Sequence, residues 1–345
     1  MFSASVPNQD SNRSAFLAAF FCLEILIFSL LLSANAHAGP ITYLDESFRG
    51  TTAEGWQFIT GEGEGSSLTA ATGDDADGEG WLRLTQDLGW QSSFAYYDTA
   101  LNTSEGLVFT FDFMTWSGNS SGWSLGDGFA LALFDAEATP QAGAYGGSLG
   151  YAQRDGGTPG LAGGLLGIGF DEFGNFSNPN EGRVGGTERT RNSIAIRGSE
   201  ENDYAYLAGT DSLDNFATHN VDTRPDETAA RTVRITIPTD MSITVEWMQG
   251  EGDWETLIET HANVTFPDEI KFGYTAGTGQ ATAFHEIRNL SVSSATSVVP
   301  QIGVRSLSSN VFSVPEPTTL VLLLLGGLGF MAHRRWHNGV HRIAP

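Results

Sequence analysis

The chain has 345 residues, of which 40% are hydrophobic, so it has room for one large or two ordinary domains with a sizeable core. Its formal net charge is −24, with 41 acidic and 17 basic residues; such a surface repels phosphate and makes nucleic acid a poor partner. The only cysteine, Cys22, lies in an N-terminal apolar segment, so the rest of the chain has no disulfide framework, thiolate zinc site or cysteine nucleophile.

The first 38 residues are predicted to be a secretory signal peptide. Arg13 precedes an apolar run, residues 15–34, and the small residues Ala36 and Ala38 follow it, which predicts cleavage after Ala38. Glu24 interrupts the apolar run, and an uncleaved anchor is the alternative.

Residues 39–296 are predicted to form one all-β sandwich domain. Segments rich in β-branched and aromatic residues alternate with turns of Gly, Asp, Asn and Ser, and long helical periodicities are missing. Val233–Ile237 and Ile243–Trp247 alternate apolar with polar residues, as half-buried antiparallel strands do, and residues 238–240 predict the turn between them. Residues 297–312 lack a core pattern and are predicted to be a linker.

The last segment, residues 313–345, has three parts in a fixed order. Pro315-Glu316-Pro317 is followed by a short apolar run, Leu320 to Ala332, and then by Arg334 and Arg335. As a helix the run would span only ~20 Å of a bilayer core ~30 Å thick.

This order resembles the PEP-CTERM sorting signal of Gram-negative bacteria. The resemblance implies export, membrane association through this segment, processing by an exosortase, and a place in the cell envelope, at the cell surface or in the extracellular matrix. Carriers of the signal are often linked to exopolysaccharide and biofilm. An ordinary tail anchor is the alternative.

Five motifs follow one another along the predicted sandwich. They are GDGFALALFD (126–135), GGSLGY (146–151), GIGFDEFGNFSNP (167–179), NSIAIRG (192–198) and KFGYTAGTG (271–279). Each is weak alone, but together and in this order they resemble the L-type (legume-type) lectin family over residues 43–294. The resemblance implies a concanavalin-like jelly roll of two antiparallel sheets that binds carbohydrate.

The resemblance also implies a set of sugar-binding residues. Asp127 would accept hydrogen bonds from sugar hydroxyls, after a cis Gly126–Asp127 peptide bond, and Gly147 would donate its backbone N–H. Thr278 and Gln280 belong to the last specificity loop. The alternatives are an ordinary turn aspartate for Asp127 and an ordinary loop glycine for Gly147.

A weakly bound calcium ion is the cofactor that the resemblance implies. Its ligands would be the Asp171 carboxylate, the Phe173 carbonyl and the Asn175 side chain, with the Phe173 ring and the Asn175 amide also facing the sugar. Asn178 would be the fourth ligand, where the family usually has an aspartate; this lowers the ligand charge and the affinity, and Glu181 is a candidate to compensate. The alternative is a calcium-free capped turn.

A transition-metal site is not expected. Family members with such a site use a Glu and a His at positions that here hold Gly169 and Ser193.

The predicted function is non-catalytic carbohydrate binding. A glycosidase needs two carboxylates ~5–9 Å apart, and the Glu-x-Asp-x-x-Glu string of the related hydrolases is not found. His285 and Glu286 are adjacent on a strand, so they should point to opposite faces rather than act together. The string GDDADGEG (73–80) lacks the ligand spacing of a calcium loop and predicts an acidic turn. A structural matrix protein with a degenerate lectin site is the alternative function, and a glycoside hydrolase is the least favoured.

Overall fold

The computed structural model describes residues 39–117, 125–214, 216–219, 221 and 223–297. The predicted signal peptide, all of the predicted linker except Ser297, and the PEP-CTERM-like segment lie outside these ranges, so the predicted domain boundaries stay predictions. Within the same ranges, no helix is long and apolar enough to cross a membrane.

Almost all regular secondary structure in the described part of the chain is strand. They are β1 (Pro40–Glu46), β2 (Trp56–Glu62), β3 (Ser67–Leu68), β4 (Leu82–Thr85), β5 (Gln91–Asn102), β6 (Leu107–Ser117), β7 (Gly128–Asp135), β8 (Gly164–Asp171), β9 (Ser193–Arg197), β10 (Tyr206–Gly209), β11 (Thr218–His219), β12 (Arg231–Ile237), β13 (Ser242–Gln249), β14 (Glu255–His261), β15 (Glu269–Thr278) and β16 (Phe284–Ser297). One short helix, α1 (Thr69–Thr72), and 3₁₀ turns at Gly146–Ser148, Glu200–Asn202 and Glu227–Ala229 complete the elements.

The strands form two sheets. The nine-stranded sheet has the order β14-β13-β12-β6-β16-β4-β3, with β1 beside β16 and β11 beside β6. The seven-stranded sheet has the order β10-β9-β8-β7-β15-β5-β2. Every pairing is antiparallel except the two-residue contact of β11 with β6. The predicted sandwich of two antiparallel sheets is therefore confirmed.

Aromatic side chains join the two sheets in the main core. On β6, Phe111 and Phe113 alternate with polar residues and are buried. Across the interface, Phe129 and Phe170 are register partners whose rings stack with centroids 4.7 Å apart, and Phe113 lies 5.1 Å from Phe170. Such ring pairs add about 0.5–1.5 kcal/mol each beyond the burial of their area.

The central strands of the seven-stranded sheet are buried on both faces, which explains the unbroken apolar sequence of β7. Phe129, Leu131 and Leu133 face the main core, whereas Ala130 and Phe134 face a second cluster on the opposite side. A half-buried strand alternates in polarity, but a strand covered on both faces does not.

Loop residues build this second cluster. Leu149, Tyr151 and Phe176 reach it from the segments that follow β7 and β8. The loops that carry the predicted sugar-binding motifs are thus packed against the outer face of the sheet, and the site forms at their edge.

Candidate functional site

The register of the seven-stranded sheet brings three of the predicted motifs to one end. Gly128, the first residue of β7, pairs with Asp171 at the end of β8 and with Gly277 near the end of β15. Asp127, the β8–β9 loop (residues 172–192) and the segment after Thr278 therefore lie side by side. The 3₁₀ turn Gly146–Ser148 packs on the same end, against β15.

A pocket of about 130 Å³ opens between these segments. Four of the predicted sugar-binding residues line it: Asp127, Gly147, Phe173 and Asn175. The other lining residues are Trp90, Gly146, Arg154, Glu181, Gly279, Gln280 and Ala281. The pocket is smaller than the ~300–1,000 Å³ sites of drug-sized ligands, so it suits a small polar ligand.

Asp127 is fixed by its backbone and leaves one carboxylate oxygen free. Its N–H donates to the Gly277 carbonyl at 3.1 Å, and its carbonyl accepts from the N–H groups of Glu172 and Phe173 at 2.9 and 3.2 Å. The Gly126–Asp127 peptide bond is cis, as the resemblance predicts. The residue is 4% exposed, and its Oδ2 is buried without a hydrogen-bond partner in the described part of the chain.

This carboxyl group lies in an environment that disfavours its charge. Burial, and then the charge of Asp171, raises the pKa of Asp127 well above its usual range, against the opposing effect of Arg183. A buried acceptor without a donor is costly, and a ligand hydroxyl that donates to it removes the cost.

Gly147 and Asn175 contact each other so closely that the first must be glycine. A Cβ added to Gly147 would lie 2.2 Å from the Asn175 Cβ and 3.3 Å from its Nδ2. The amide of Asn175 thus lies against the backbone of the 3₁₀ turn, where both face the pocket.

The two aromatic residues of the pocket lining, Phe173 and Trp90, contact side chains just outside it. The guanidinium carbons of Arg189 and Arg191 each lie 4.9 Å from the centre of the Phe173 ring. Trp90, which is 50% exposed, packs edge-on against Tyr145, with ring centres 5.6 Å apart. Sequence reasoning missed Trp90, because only its left-handed backbone (φ 62°) and its bond to the Gly279 carbonyl bring it to the site.

The prediction for Thr278 needs correction. This residue is fully buried; its hydroxyl donates to the Leu88 carbonyl at 2.7 Å and accepts from the Gln91 N–H at 3.1 Å. The side chain therefore closes the loop before β5 and is not among the pocket residues. Gln280 lines the pocket instead.

Asp171, the predicted carboxylate ligand of calcium, is hydrogen-bonded within its own loop. Both oxygens of Asp171 already accept backbone hydrogen bonds: Oδ1 from Gly174 at 2.7 Å, and Oδ2 from Phe176 at 2.6 Å and Ser177 at 3.4 Å. Burial raises the pKa of Asp171 to about 7, although these N–H groups lower it. The positive ends of the peptide dipoles point at the position where a cation would sit.

Glu181, the candidate to compensate for Asn178, is engaged as well. Its carboxylate pairs with Arg154 at 3.1 Å and Arg183 at 3.0 Å, and the backbone carbonyl of Asn178 accepts from Arg197 at 3.4 Å. Among the described residues, no three His, Cys, Asp or Glu side chains are grouped to hold a metal. Calcium takes six to eight oxygen ligands and its affinity depends on their charge; the oxygens of the two nearby carboxylates, Asp171 and Glu181, are bonded to N–H groups and arginines, so this donor set as arranged does not fit the ion.

The two positions that would complete a transition-metal site have structural roles. A Cβ on Gly169 would lie 2.4 Å from the Phe176 ring, so no larger side chain fits there unless the loop moves. The hydroxyl of Ser193 donates to the Thr190 carbonyl at 2.7 Å.

His285 and Glu286 have separate partners, which confirms that they point to opposite faces. The His285 ring contacts the Thr85 hydroxyl at 2.6 Å and Glu172 at 3.4 Å. The Glu286 carboxylate instead accepts hydrogen bonds from Arg83, Trp116 and Arg224.

The acidic turn predicted at residues 73–80 binds arginine side chains. Asp74 pairs with Arg83 at 2.7 Å, and Asp75 pairs with Arg224 at 2.8 Å.

Comparisons with known proteins bear on two parts of the chain, the C-terminal segment and the sandwich. Residues 313–335 match the family model of the PEP-CTERM protein-sorting motif, which indicates export and surface sorting in Gram-negative bacteria. A search of curated proteins found no match.

Solved plant lectins share the fold of the sandwich. The Bauhinia forficata lectin in complex with GalNAc aligns with a TM-score of 0.51 and 16% identity, over 75% of this chain and 100% of that chain. The Lotus tetragonolobus seed lectin aligns with the same score and identity, over 73% and 97%. The basic winged bean lectin with Tn-antigen aligns with a TM-score of 0.51 and 16% identity, over 74% of this chain and 98% of that chain. The chain thus joins a domain with the L-type lectin fold to a C-terminal PEP-CTERM sorting motif.

Proposed function

We propose that the exported domain is a non-catalytic carbohydrate-binding module that acts in an exopolysaccharide or biofilm matrix. Its C-terminal segment associates with the membrane until an exosortase-type machinery processes it. The observation that carries the proposal is the buried, unpartnered Oδ2 of Asp127 in a pocket lined by Gly147, Phe173 and Asn175.

Each of these groups has a role that suits a sugar ring. Asp127 accepts from ligand hydroxyls, while the Gly147 backbone and the Asn175 amide supply donors on the opposite wall. The part of Phe173 that lines the pocket offers an apolar surface to the C–H face of the sugar, beside the guanidinium groups that contact the same ring. Sites of this kind combine an aromatic wall with a few fixed polar groups. The GalNAc and Tn-antigen complexes of the plant lectins with this fold are consistent with the same ligand class.

The carboxylates of the pocket favour binding over hydrolysis. Glycoside hydrolysis needs two free carboxyl groups, one on each side of the scissile bond. Among the described residues that line the pocket, the carboxylate besides Asp127 is Glu181, whose two oxygens are held by Arg154 and Arg183. The second group required by a hydrolase is therefore engaged.

A structural matrix protein with a degenerate site is the second candidate. The observation that favours it is the Asp171 carboxylate, which bonds to backbone N–H groups and is not open to the calcium ion of the sequence-based hypothesis. Only the first candidate function predicts that a sugar binds in the pocket.

A glycan array tests the proposal with the exported protein and two variants. Wild type and Asp268→Asn, which changes an exposed carboxylate away from the pocket, should bind the same glycans. Asp127→Ala should lose them, because charge-assisted hydrogen bonds contribute about 1.5–3 kcal/mol each. An array on which wild type binds nothing would favour the structural candidate.

A further inference from the structure

We propose that two buried arginines, Arg183 and Arg197, organise the β8–β9 loop in place of a metal ion, so that ligand binding at the pocket does not require calcium. The role of the two arginines in the loop is independent of the proposed function, whereas calcium-independent ligand binding rests on it.

Arg197 donates hydrogen bonds to the backbone carbonyls inside the loop. It lies on β9, is fully buried, and directs all five of its N–H donors at backbone carbonyls. These belong to Phe176, Asn178, Val184, Gly185 and Tyr204, at 2.7–3.4 Å. Four of the five carbonyls are in the β8–β9 loop. Carbonyl oxygens also surround hard metal ions. Here they surround the guanidinium cation of Arg197 instead.

Arg183 connects the same loop to the other wall of the pocket. Its side chain is fully buried. Nη1 donates to the Ser148 hydroxyl at 2.9 Å, and Nη2 donates to Asn180 Oδ1 at 2.5 Å and Glu181 Oε2 at 3.0 Å. Ser148 belongs to the 3₁₀ turn that carries Gly147. One guanidinium group therefore fixes two pocket segments relative to each other.

Asp171 is the buried anion at the start of the same loop. Its oxygens are bonded to the N–H groups of Gly174, Phe176 and Ser177, so the carboxylate caps the start of the loop. The charge of Arg183 lowers the pKa of Asp171 against burial, and the charge of Asp171 opposes the lowering of the pKa of Arg197. A buried charge is tolerated only when it is compensated by charge and hydrogen bonds. Here the loop's own N–H groups supply the hydrogen bonds and the two arginines supply positive charge near Asp171.

The first experiment compares thermal unfolding of the exported protein in calcium, in manganese and in excess EDTA. The melting temperature is expected to agree within a degree in all three, because no site binds the ions in the folded state alone. Calorimetric titration with calcium chloride should give no binding heat. A rise of several degrees in millimolar calcium, or a fall after EDTA, would overturn the proposal. These readouts need no sugar, so they decide the question even if no glycan binds.

The second experiment tests Arg183 as a positioning residue. Arg183→Met should accelerate amide exchange in the β8–β9 loop and in the turn Gly146–Ser148, and should reduce affinity for an array-identified glycan about tenfold or more. Arg183→Lys keeps the charge but not the fork, and should fall between wild type and Arg183→Met. Arg234→Met, which breaks a half-exposed pair with Glu246, is the matched control and should change neither. Unchanged exchange in both segments after Arg183→Met would contradict the role.

A separate observation, beside the pocket at the Phe173 ring, concerns the ligand's charge. Arg189 and Arg191 both stack on Phe173, and neither makes an ion pair or a hydrogen bond within the described residues. This is unusual in a chain with 41 acidic residues against 17 basic ones. Burial and the neighbouring charge of Arg189 also lower the pKa of Arg191. Two like charges held together are relieved by an anion.

From this pair we infer that the preferred sugar carries an anionic group, either a carboxylate or a sulfate ester. Planar guanidinium groups bind such oxyanions through paired hydrogen bonds while they stack on aromatic rings. In this arrangement the ring hydroxyls face Asp127 and the acidic substituent faces Arg189 and Arg191. This inference rests on the proposed function.

Binding of matched oligosaccharides tests it: glucuronate or galacturonate oligomers, sulfated oligomers, and neutral glucose or galactose oligomers of equal length. Wild type should bind one acidic set at least about tenfold more tightly than the neutral set, and the two acidic sets distinguish the two sources of charge. Arg189→Gln/Arg191→Gln should lose that preference but keep neutral binding, whereas Arg49→Gln should keep both. Equal binding of all sets by wild type would overturn this inference alone. Binding of none would contradict the proposed function.

Discussion

Gly147 and Asn175 lie in such close contact that a Cβ added to the glycine would fall 2.2 Å from the Cβ of the asparagine. The two residues come from different segments, one from the 3₁₀ turn after β7 and the other from the β8–β9 loop. Their contact closes one wall of the pocket, so the shape of the site depends on the absence of a single methyl group.

Gly147→Ala should therefore abolish glycan binding. The methyl group displaces Asn175 or the turn, and overpacking of this kind costs about 1–3 kcal/mol of stability. Thermal melts and glycan binding measure the two effects. Gly50→Ala is the control, because its nearest heavy atom would lie at 3.7 Å. Normal binding by Gly147→Ala would show that Asn175 is not held by this contact.

Glu286→Gln should destabilise the fold without changing glycan specificity. The carboxylate is fully buried and accepts bonds from Arg83, Trp116 and Arg224, so neutralising it removes the buried counter-charge that both arginines share and leaves each with one partly exposed aspartate, Asp74 or Asp75. Breaking a buried pair in this way costs about 3–5 kcal/mol. Glu246→Gln, in a half-exposed pair with Arg234, should cost only ~0–1 kcal/mol. Denaturant titration compares the two, and equal losses would contradict the account of Glu286.

Asp127→Asn should make the protein more stable at neutral pH. The folded-state pKa of Asp127 is raised above its unfolded value of 3.8, so between these values the folded state binds more protons and stability falls as pH rises. The variant lacks this loss, and its advantage over wild type should grow as the pH rises from 4 towards 7. Melting temperatures across that range measure it. A constant difference would show that burial does not disfavour the charge.

The strand pattern was predictable from local sequence, and most of the pocket from the resemblance to a lectin family. Alternation predicted β12 and β13, whereas the resemblance implied that Asp127, Phe173 and Asn175 share one site. The partner of Asp171 was not predictable. Whether an aspartate binds a cation or backbone N–H groups depends on the path of the following residues, which the motif letters do not specify.

The arginines were missed for a similar reason. Arg183 and Arg197 appear in the sequence as ordinary charged residues, and only the folded loop shows that one is surrounded by carbonyls and the other bridges two segments. Trp90 became a pocket residue through its backbone conformation. Thr278 had the right position in its motif, but β15 buries its side chain.

The most direct test of the account is calorimetry of a glycan identified on the array, measured in excess EDTA with wild type, Asp127→Asn and the control Asp268→Asn. We predict that wild type and Asp268→Asn bind with equal affinity and that Asp127→Asn binds at least about tenfold more weakly, a difference of about 1.4 kcal/mol or more. Equal binding by all three proteins would contradict the assignment of the sugar site to this pocket.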